Sequence, residues 1–338
     1  MRLLIVTQAV DENDPVLGFF CGWLAEFSKH FETIAVVTLR AGDYRLPQNV
    51  SVHPLKGGRV QRLFRYWHLL FSLRKEYTHV FVHMSPEFAI AGAPAWLVLG
   101  KKTALWYNHT QKSFRLWLAA RLVKIIFHTS PYAASARFSH SRRMPAGIDT
   151  ELFKPSGAPK DPAGVYFQGR VAPAKRVDEL CEAVREVRGK GIPAVLTAAG
   201  PEDVRYGKEL RERYRDLIKE KALVFLGPRK NTDTPLFYSA ARVSVNLTAS
   251  GNYDKTVLES MACETPTIVS SSAFADMIPA KWIVPEHDRS ALAQKIVEVM
   301  RLPEAEYHEL GTSLRMEVVA KHSLPKLGDE LFRALSSL

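Results

Sequence analysis

The stretch GNYDKTVLESMACETP occupies residues 251–266. A polar, turn-prone run, Gly251-Asn252-Tyr253-Asp254, leads straight into apolar residues at helical spacing. Asp254 is a good N-cap type, so Lys255, Thr256 and Val257 are expected to form the first turn of a helix. The N–H groups of such a turn have no intrahelical partner and point outward at the positive end of the helix dipole. Such an end attracts anions, above all phosphate, and Lys255 adds a full charge to it. Glu259 lies at i+4 from Lys255, on the same helix face. A plain surface Lys–Glu pair is the competing reading, but Lys before Glu is the poorer order for such a pair. A phosphate at a helix mouth with a carboxylate gripping hydroxyls beside it describes a nucleotide ribose.

Working outward, short apolar strands alternate with amphipathic helices in both halves of the chain. LLIVTQ, TIAVVTL, HVFVHM, TALWY and KIIFHTS read as buried strands of the first half, and GVYFQG, AVLTAAG, ALVFLG, RVSVNLT and PTIVSS of the second. GFFCGWLAEFSKH, RVQRLFRYWHLLFSLRKEY, VDELCEAVREVRG, RYGKELRERYRDLIKE and SALAQKIVEVM read as helices. This alternation predicts an α/β protein with two Rossmann-like, doubly wound parallel domains facing each other. The expected division is 1–153, a Pro/Gly/Lys-rich linker at 154–164, a second domain at 165–320, and a closing helix at 321–338 that can return to the first domain.

Ligands of doubly wound domains sit at the carboxyl ends of the strands. Four successive strand ends of the second half carry glycine, cations or both: Gly169-Arg170 with Lys175, Gly200-Pro201, Gly227-Pro228-Arg229, and the opening stretch itself. Arg170 and Lys175 are the cations expected on a diphosphate. No G-x-G-x-x-G is present, and GVYFQGRV lacks the Lys-Ser/Thr of a phosphate loop, so neither a dinucleotide site nor a P-loop is expected. No Asp-x-Asp occurs, which disfavours a metal-held diphosphate. No metal and no cofactor are expected.

The 338 residues suit about two domains. The longest apolar run, Phe88 to Gly100, is 13 residues, too short to span a bilayer. The N-terminus lacks a signal-peptide cleavage site, and three scattered cysteines (Cys21, Cys181, Cys263) have no metal spacing, which suggests a reducing, cytoplasmic setting. The net charge of +11 is uneven. Residues 1–150 hold 19 Lys/Arg against 9 Asp/Glu, whereas the remainder holds 27 against 26. Between Lys56 and Arg143 there are 15 basic residues and only two acidic ones, Glu76 and Glu87.

These motifs together resemble the retaining family 4 glycosyltransferases, which have the two-domain GT-B fold. The resemblance is strongest over roughly 165–300: Gly169-Arg170…Lys175, Gly200-Pro201, Phe225-Leu226-Gly227, and Glu259-Ser-Met-Ala-Cys followed by Thr265-Pro266. PAGIDTELFKP at 145–155 is similar to the family's entry to its second domain. The resemblance implies that Arg170 and Lys175 hold a donor diphosphate, that Glu259 binds ribose hydroxyls, and that Gly227-Pro228-Arg229 flank the base. It places His109, in LWYNHT, opposite the transferred sugar. Gly18, in DPVLGFF, stands in for a missing Gly-Gly loop, and with Phe19, His83 and His109 it marks the acceptor side. The sequence also departs from the family. The first Glu of the Glu-x7-Glu pair, which contacts the sugar hydroxyls, falls on Gly251; Asp254 stands where a glycine is expected; Ala198 and Glu264 replace further glycines.

The activity implied by the resemblance is transfer of a hexose from a nucleoside diphosphate sugar to a glycan or lipid-linked acceptor, with the anomeric configuration retained. The residues of that chemistry would be His109, Arg170, Lys175 and Glu259, with Gly169, Gly200, Pro201, Asp254, Lys255 and Thr256 also around the donor. Two alternatives stand beside it: a GT-B-fold protein without transferase activity (an epimerase or silent subunit), and a nucleic-acid-binding protein, which the absence of any recognised motif disfavours. For the helix expected at 59–77, Val60, Leu63, Phe64, Trp67 and Phe71 can pack on the sheet with the arginines in water. Alternatively its basic face, with Lys56 and Lys112, meets an anionic membrane surface, at the inner face of the membrane, or a lipid-diphosphate-linked acceptor.

Overall fold

Parallel strands buried on both faces need continuous apolar runs, and Leu3–Val6 and Ile34–Val37 are such runs. The computed structural model describes Met1–Leu338 and divides into two compact units, Met1–Gly147 with Leu324–Leu338, and Ile148–Ser323.

The first unit is built on a seven-stranded, wholly parallel sheet. Its strands are β1 (Arg2–Val10), β2 (Thr33–Ala41), β3 (Val50–Pro54), β4 (His79–His83), β5 (Lys102–Trp106), β6 (Ile125–His128) and β7 (Ser141–Arg143), in the order β3-β2-β1-β4-β5-β6-β7. Leu3 sits at the centre of the register, opposite Ile34 on one side and His79 on the other. The order reverses between β1 and β4, so right-handed crossovers place the helices on both faces. Helix α1 (Phe19–Phe27) leaves β1 toward β2, whereas α2 (Arg59–Ser72), α3 (Pro86–Val98) and α4 (Phe114–Leu122) all step in the opposite direction. The two faces accordingly carry separate cores. Tyr66, Leu70, Trp96, Leu116 and Ala119 pack under α2–α4. Phe20, Trp23 and Phe27 pack under α1 together with Leu327 and Leu331 of α12 (Leu324–Ser336).

The second unit holds a five-stranded parallel sheet of β8 (Asp161–Gln168), β9 (Val195–Ala199), β10 (Leu223–Gly227), β11 (Ala241–Asn246) and β12 (Thr267–Val269), ordered β10-β9-β8-β11-β12. Its helices are α5 (Val177–Gly189), α6 (Val204–Arg213), α7 (Arg215–Lys219), α8 (Thr234–Ala240), α9 (Lys255–Ala262), α10 (Arg289–Met300) and α11 (Glu304–His322).

Several sequence expectations need correction. The helix expected over 205–220 is two pieces, because Tyr214 leaves helical geometry at φ −110°. The stretch 154–164 is not all linker: Ile148 already belongs to the second unit, and Asp161 begins β8. The apolar run at 88–100 lies mostly in α3, whose first residue, Pro86, lacks an N–H that the helix start would leave unused anyway. In α2 the side packed on the sheet is Tyr66 and Leu70, while Val60, Leu63, Phe64, Trp67 and Phe71 all face outward.

The last helix is structural to the first unit. Replacing fully buried Leu331 with alanine should cost about 2–5 kcal/mol of stability by deleting buried methyl groups and leaving a cavity. Chemical denaturation checks this, and a change below about 0.5 kcal/mol, the level of surface substitutions, would show that α12 is dispensable.

Candidate functional site

The carboxyl ends of β8, β9 and β10 are drawn together by backbone hydrogen bonds. The Gly169 N–H donates to the Ala199 carbonyl at 2.9 Å, and the Gly200 N–H donates to the Gly227 carbonyl at 2.9 Å. Gly200 has φ +140°, and a Cβ there would lie 2.0 Å from the Gly169 carbonyl oxygen. Only glycine therefore lets these two strand ends meet. From this row Arg170 projects outward, exposed, as do Pro228 and Arg229, while Pro201 is half-buried. The Arg229 guanidinium donates to the Leu226 carbonyl at 2.7 Å.

The fourth strand end, after β11, leads to the mouth of α9. Asp254 occupies the N-cap position, but its carboxylate makes no capping hydrogen bond. It is turned instead toward Lys175, with which it forms an ion pair. The same carboxylate oxygen accepts hydrogen bonds from the Thr248 hydroxyl at 2.6 Å and the Asn246 amide at 3.0 Å. The Lys175 ammonium also donates to the Thr248 hydroxyl at 3.0 Å. Burial alone would raise the Asp254 carboxyl, but the Lys175 charge and these three donors hold it below the ordinary value. The capping expectation was right about position and wrong about the side chain. A partner 79 residues away outcompetes the local backbone. The Asp254 side chain thus caps none of the first-turn N–H groups of α9, and that of Val257 donates to the Asp254 backbone carbonyl at 3.3 Å.

Glu259 sits one turn inside α9 and is only 7% exposed. The hydroxyl of fully buried Tyr238 donates to it at 3.3 Å. Burial pushes the Glu259 carboxyl up and the Lys255 ammonium down, and the charge of each on the other opposes the shift. A carboxylate so placed needs donors, and a pair of vicinal hydroxyls would supply them.

Beside Gly251 the structure adds residues that sequence spacing does not mark. Arg176, in left-handed conformation at φ +51°, ion-pairs with Glu286. The other Glu286 oxygen accepts the Ser250 N–H at 2.7 Å. Glu286 therefore sets a carboxylate next to the position that lacks one. No spacing rule links 286 to 250, and the only local signal was the cation-rich turn holding Arg176.

In the first unit, Gly18 precedes α1, and a Cβ there would lie 2.7 Å from the Asp14 carbonyl oxygen. Phe19, the first residue of α1, and His83, the last of β4, come together with their rings 6.4 Å apart. His83 is a buried part of this aromatic cluster: it stacks on Phe20 at 4.5 Å, with Nδ1 3.3 Å from the Thr7 hydroxyl. His109 follows β5 and is exposed, its ring edge-on to Tyr107 at 5.4 Å. The side-chain amide oxygen Oδ1 of the adjacent Asn108 accepts the N–H groups of Thr129 and Ser130, both at 2.9 Å, which fixes the loop that carries His109.

Residues 162–301 match the family described as glycosyl transferases group 1. Over 170 residues the chain is 26% identical to D-inositol 3-phosphate glycosyltransferase of Acidothermus cellulolyticus, covering 46% of this chain and 36% of that protein. Over 140 residues it is 27% identical to the protein of the same name from Mycobacterium tuberculosis, covering 37% and 28%. The chain thus spans about a third of the length of these curated relatives (36% and 28%). Among solved structures, HepE of Anabaena in complex with UDP and glucose is similar over the whole of both chains, with TM-score 0.81 and 17% identity. Sucrose-phosphate synthase from Thermosynechococcus elongatus covers 99% of this chain and 100% of its own, with TM-score 0.76 and 19% identity. The fold, with its two parallel sheets, is that of the GT-B glycosyltransferases.

The Asp254 pair has a pH signature. Its folded pKa lies below the unfolded value of about 3.9, so its contribution is complete above that value and is lost as pH falls through the folded one. The stability difference between wild type and Asp254→Asn should stay constant from neutral pH to about pH 5 and shrink below about pH 4. Urea unfolding across that range measures it, and a difference independent of pH would break the ion-pair assignment.

Proposed function

We propose that this protein is a glycosyltransferase that moves a hexose from a nucleoside diphosphate sugar to a glycan or lipid-linked acceptor, retaining the anomeric configuration. The observation that carries this reading is the mouth of α9: a nearly buried Glu259 one turn inside a helix whose cap side chain is turned away, beside the glycine row that ends at Arg170. The match of residues 162–301 to the group 1 glycosyl transferases supports it.

In this reading Glu259 accepts the two ribose hydroxyls, and Gly227-Pro228-Arg229 flank the base. The diphosphate lies along Gly169 and Gly200, facing Arg170, Lys175 and the N–H groups of Lys255 and Thr256. Asp254, bonded to Lys175, holds that ammonium at the helix mouth. Glu286 supplies the carboxylate for the sugar hydroxyls that Gly251 lacks, aimed by Arg176 and the Ser250 N–H. As the bond between anomeric carbon and phosphate oxygen breaks, negative charge grows on the leaving diphosphate, and the two cations stabilise it most at that point. The acceptor oxygen bonds to the same face of the anomeric carbon, and its proton passes to the departing phosphate oxygen. Because cations neutralise the diphosphate, the reaction needs no metal and should survive EDTA.

A thermal-shift screen of nucleoside diphosphate sugars, followed by titration of the best donor, tests the proposal. Charge-assisted hydrogen bonds contribute about 1.5–3 kcal/mol each, so Arg170→Ala should weaken donor binding roughly ten- to hundredfold. Glu259→Gln should erase the preference for a ribose donor over its 2′,3′-dideoxy analogue. Unchanged affinity in Arg170→Ala, with an unchanged ribose preference in Glu259→Gln, would remove the site. Donor binding with no nucleotide released to any acceptor would point to an epimerase or a silent subunit.

A further inference from the structure

The face of the first unit formed by α2, α3 and α4 is unusual for a water-facing surface. Three contacts make one layer of these helices: the Tyr66 hydroxyl donates to the Phe88 carbonyl at 3.0 Å, the Trp67 indole to the Ala91 carbonyl at 3.0 Å, and Arg115 to Glu87 at 2.9 Å. Helix α2 is apolar on two sides. Tyr66 and Leu70 face the sheet, and Val60, Leu63, Phe64, Trp67 and Phe71 form a second stripe in the open, with Phe64 71% exposed. The layer continues through Leu97 and Val98 at the end of α3, both at least 80% exposed. It ends on α4 with Phe114, 72% exposed and stacked on Trp117 at 5.5 Å.

Exposed arginines interleave with this stripe: Arg59, Arg62 and Arg65 on α2, then Arg115 and Arg121 on α4. The acidic groups near them are Glu87, already bonded to Arg115, and Glu76 beyond the end of α2. Two cavities of about 350 and 430 Å³ open beside Trp117. Between them Lys112, Arg121, Arg137 and the rings of Phe114 and Phe138 provide cations around an apolar floor.

We infer that this α2–α3–α4 layer docks on an anionic lipid bilayer, with the aromatic stripe seated at the level of the headgroups and the arginines and Lys112 on lipid phosphates. Large aromatic and aliphatic side chains in one plane, rimmed by Arg and Lys, match the two-part chemistry of a bilayer interface: apolar below, anionic at the surface. A second copy of the chain fits poorly, because two such faces would oppose arginine to arginine with almost no carboxylates between them. No helix of the chain is long and apolar enough to cross a membrane, so the attachment lies in the interface plane. It does not depend on what the second unit binds.

The test is co-sedimentation with phosphatidylglycerol–phosphatidylcholine vesicles and with pure phosphatidylcholine vesicles. Wild type should bind the anionic vesicles at low salt and release in about 1 M salt, where the Debye length is about 3 Å. Each basic residue near such a surface contributes roughly fivefold, equivalent to about 1 kcal/mol. Changing Arg59, Arg62 and Arg65 to glutamate should therefore lower partitioning at least about a hundredfold. The double variant Phe64→Ser, Phe114→Ser changes two exposed side chains, should leave the fold intact by circular dichroism, and should also weaken binding. Trp23, Trp96, Trp106 and Trp282 are buried, so quenching by brominated lipid reads Trp67 and Trp117 and should appear only with anionic vesicles. Three results would overturn the inference. One is no binding at low salt. Another is charge-dependent binding indifferent to the two serines, without quenching. The third is a wild-type dimer that Phe64→Ser dissociates and that ignores vesicles.

Discussion

The contact between Gly200 and the Gly169 carbonyl is the constraint on which the second unit's site depends. Any side chain at 200 would sit 2.0 Å from that oxygen, so the ends of β8 and β9 approach this closely only because residue 200 is glycine. Once they meet, the Gly200 N–H reaches Gly227, and three strand ends form one continuous edge. Arg170, Lys175, Pro201 and Arg229 are positioned by that edge.

The polar network at the mouth of α9 settles a competition between local and distant partners. Asp254 could cap its own helix, the commonest use of an aspartate at that position. Lys175, Thr248 and Asn246 together offer it a full charge and three donors, which outweigh a single backbone N–H. The result keeps the Asp254 side chain off the first turn of α9 and holds Lys175 beside it. Arg176 and Glu286 repeat the arrangement one residue along the chain, again pairing the turn after β8 with a carboxylate from a distant loop.

Much of this was legible in the sequence because it was periodic or punctuated. Ten of the twelve strands announced themselves as apolar runs, α5 as Val177–Gly189 with its apolar spacing, and the strand ends by their glycines. The start of α9 at Lys255 followed from a polar turn meeting an apolar period. What was not legible depended on separation or on solvent. Lys175 and Asp254 are 79 residues apart and Arg176 and Glu286 are 110 apart, and nothing local in either stretch names its partner. The short edge strands β3, VSVHP, and β7, SRR, have too little apolar character to stand out. In α2 both faces carry apolar residues at helical spacing. The sequence pattern therefore could not say which stripe met the sheet, and the larger, more aromatic one proved to face outward.

The central claim is that the α9 mouth and the glycine edge hold a nucleoside diphosphate. A crystal structure of the protein with such a nucleotide bound tests it most directly. The account predicts the ribose hydroxyls within hydrogen-bond distance of the Glu259 carboxylate and the diphosphate oxygens on Arg170, Lys175 and the N–H groups of Lys255 and Thr256. A nucleotide bound away from α9, or seated there with its ribose turned from Glu259 and its phosphates in solvent, would contradict it.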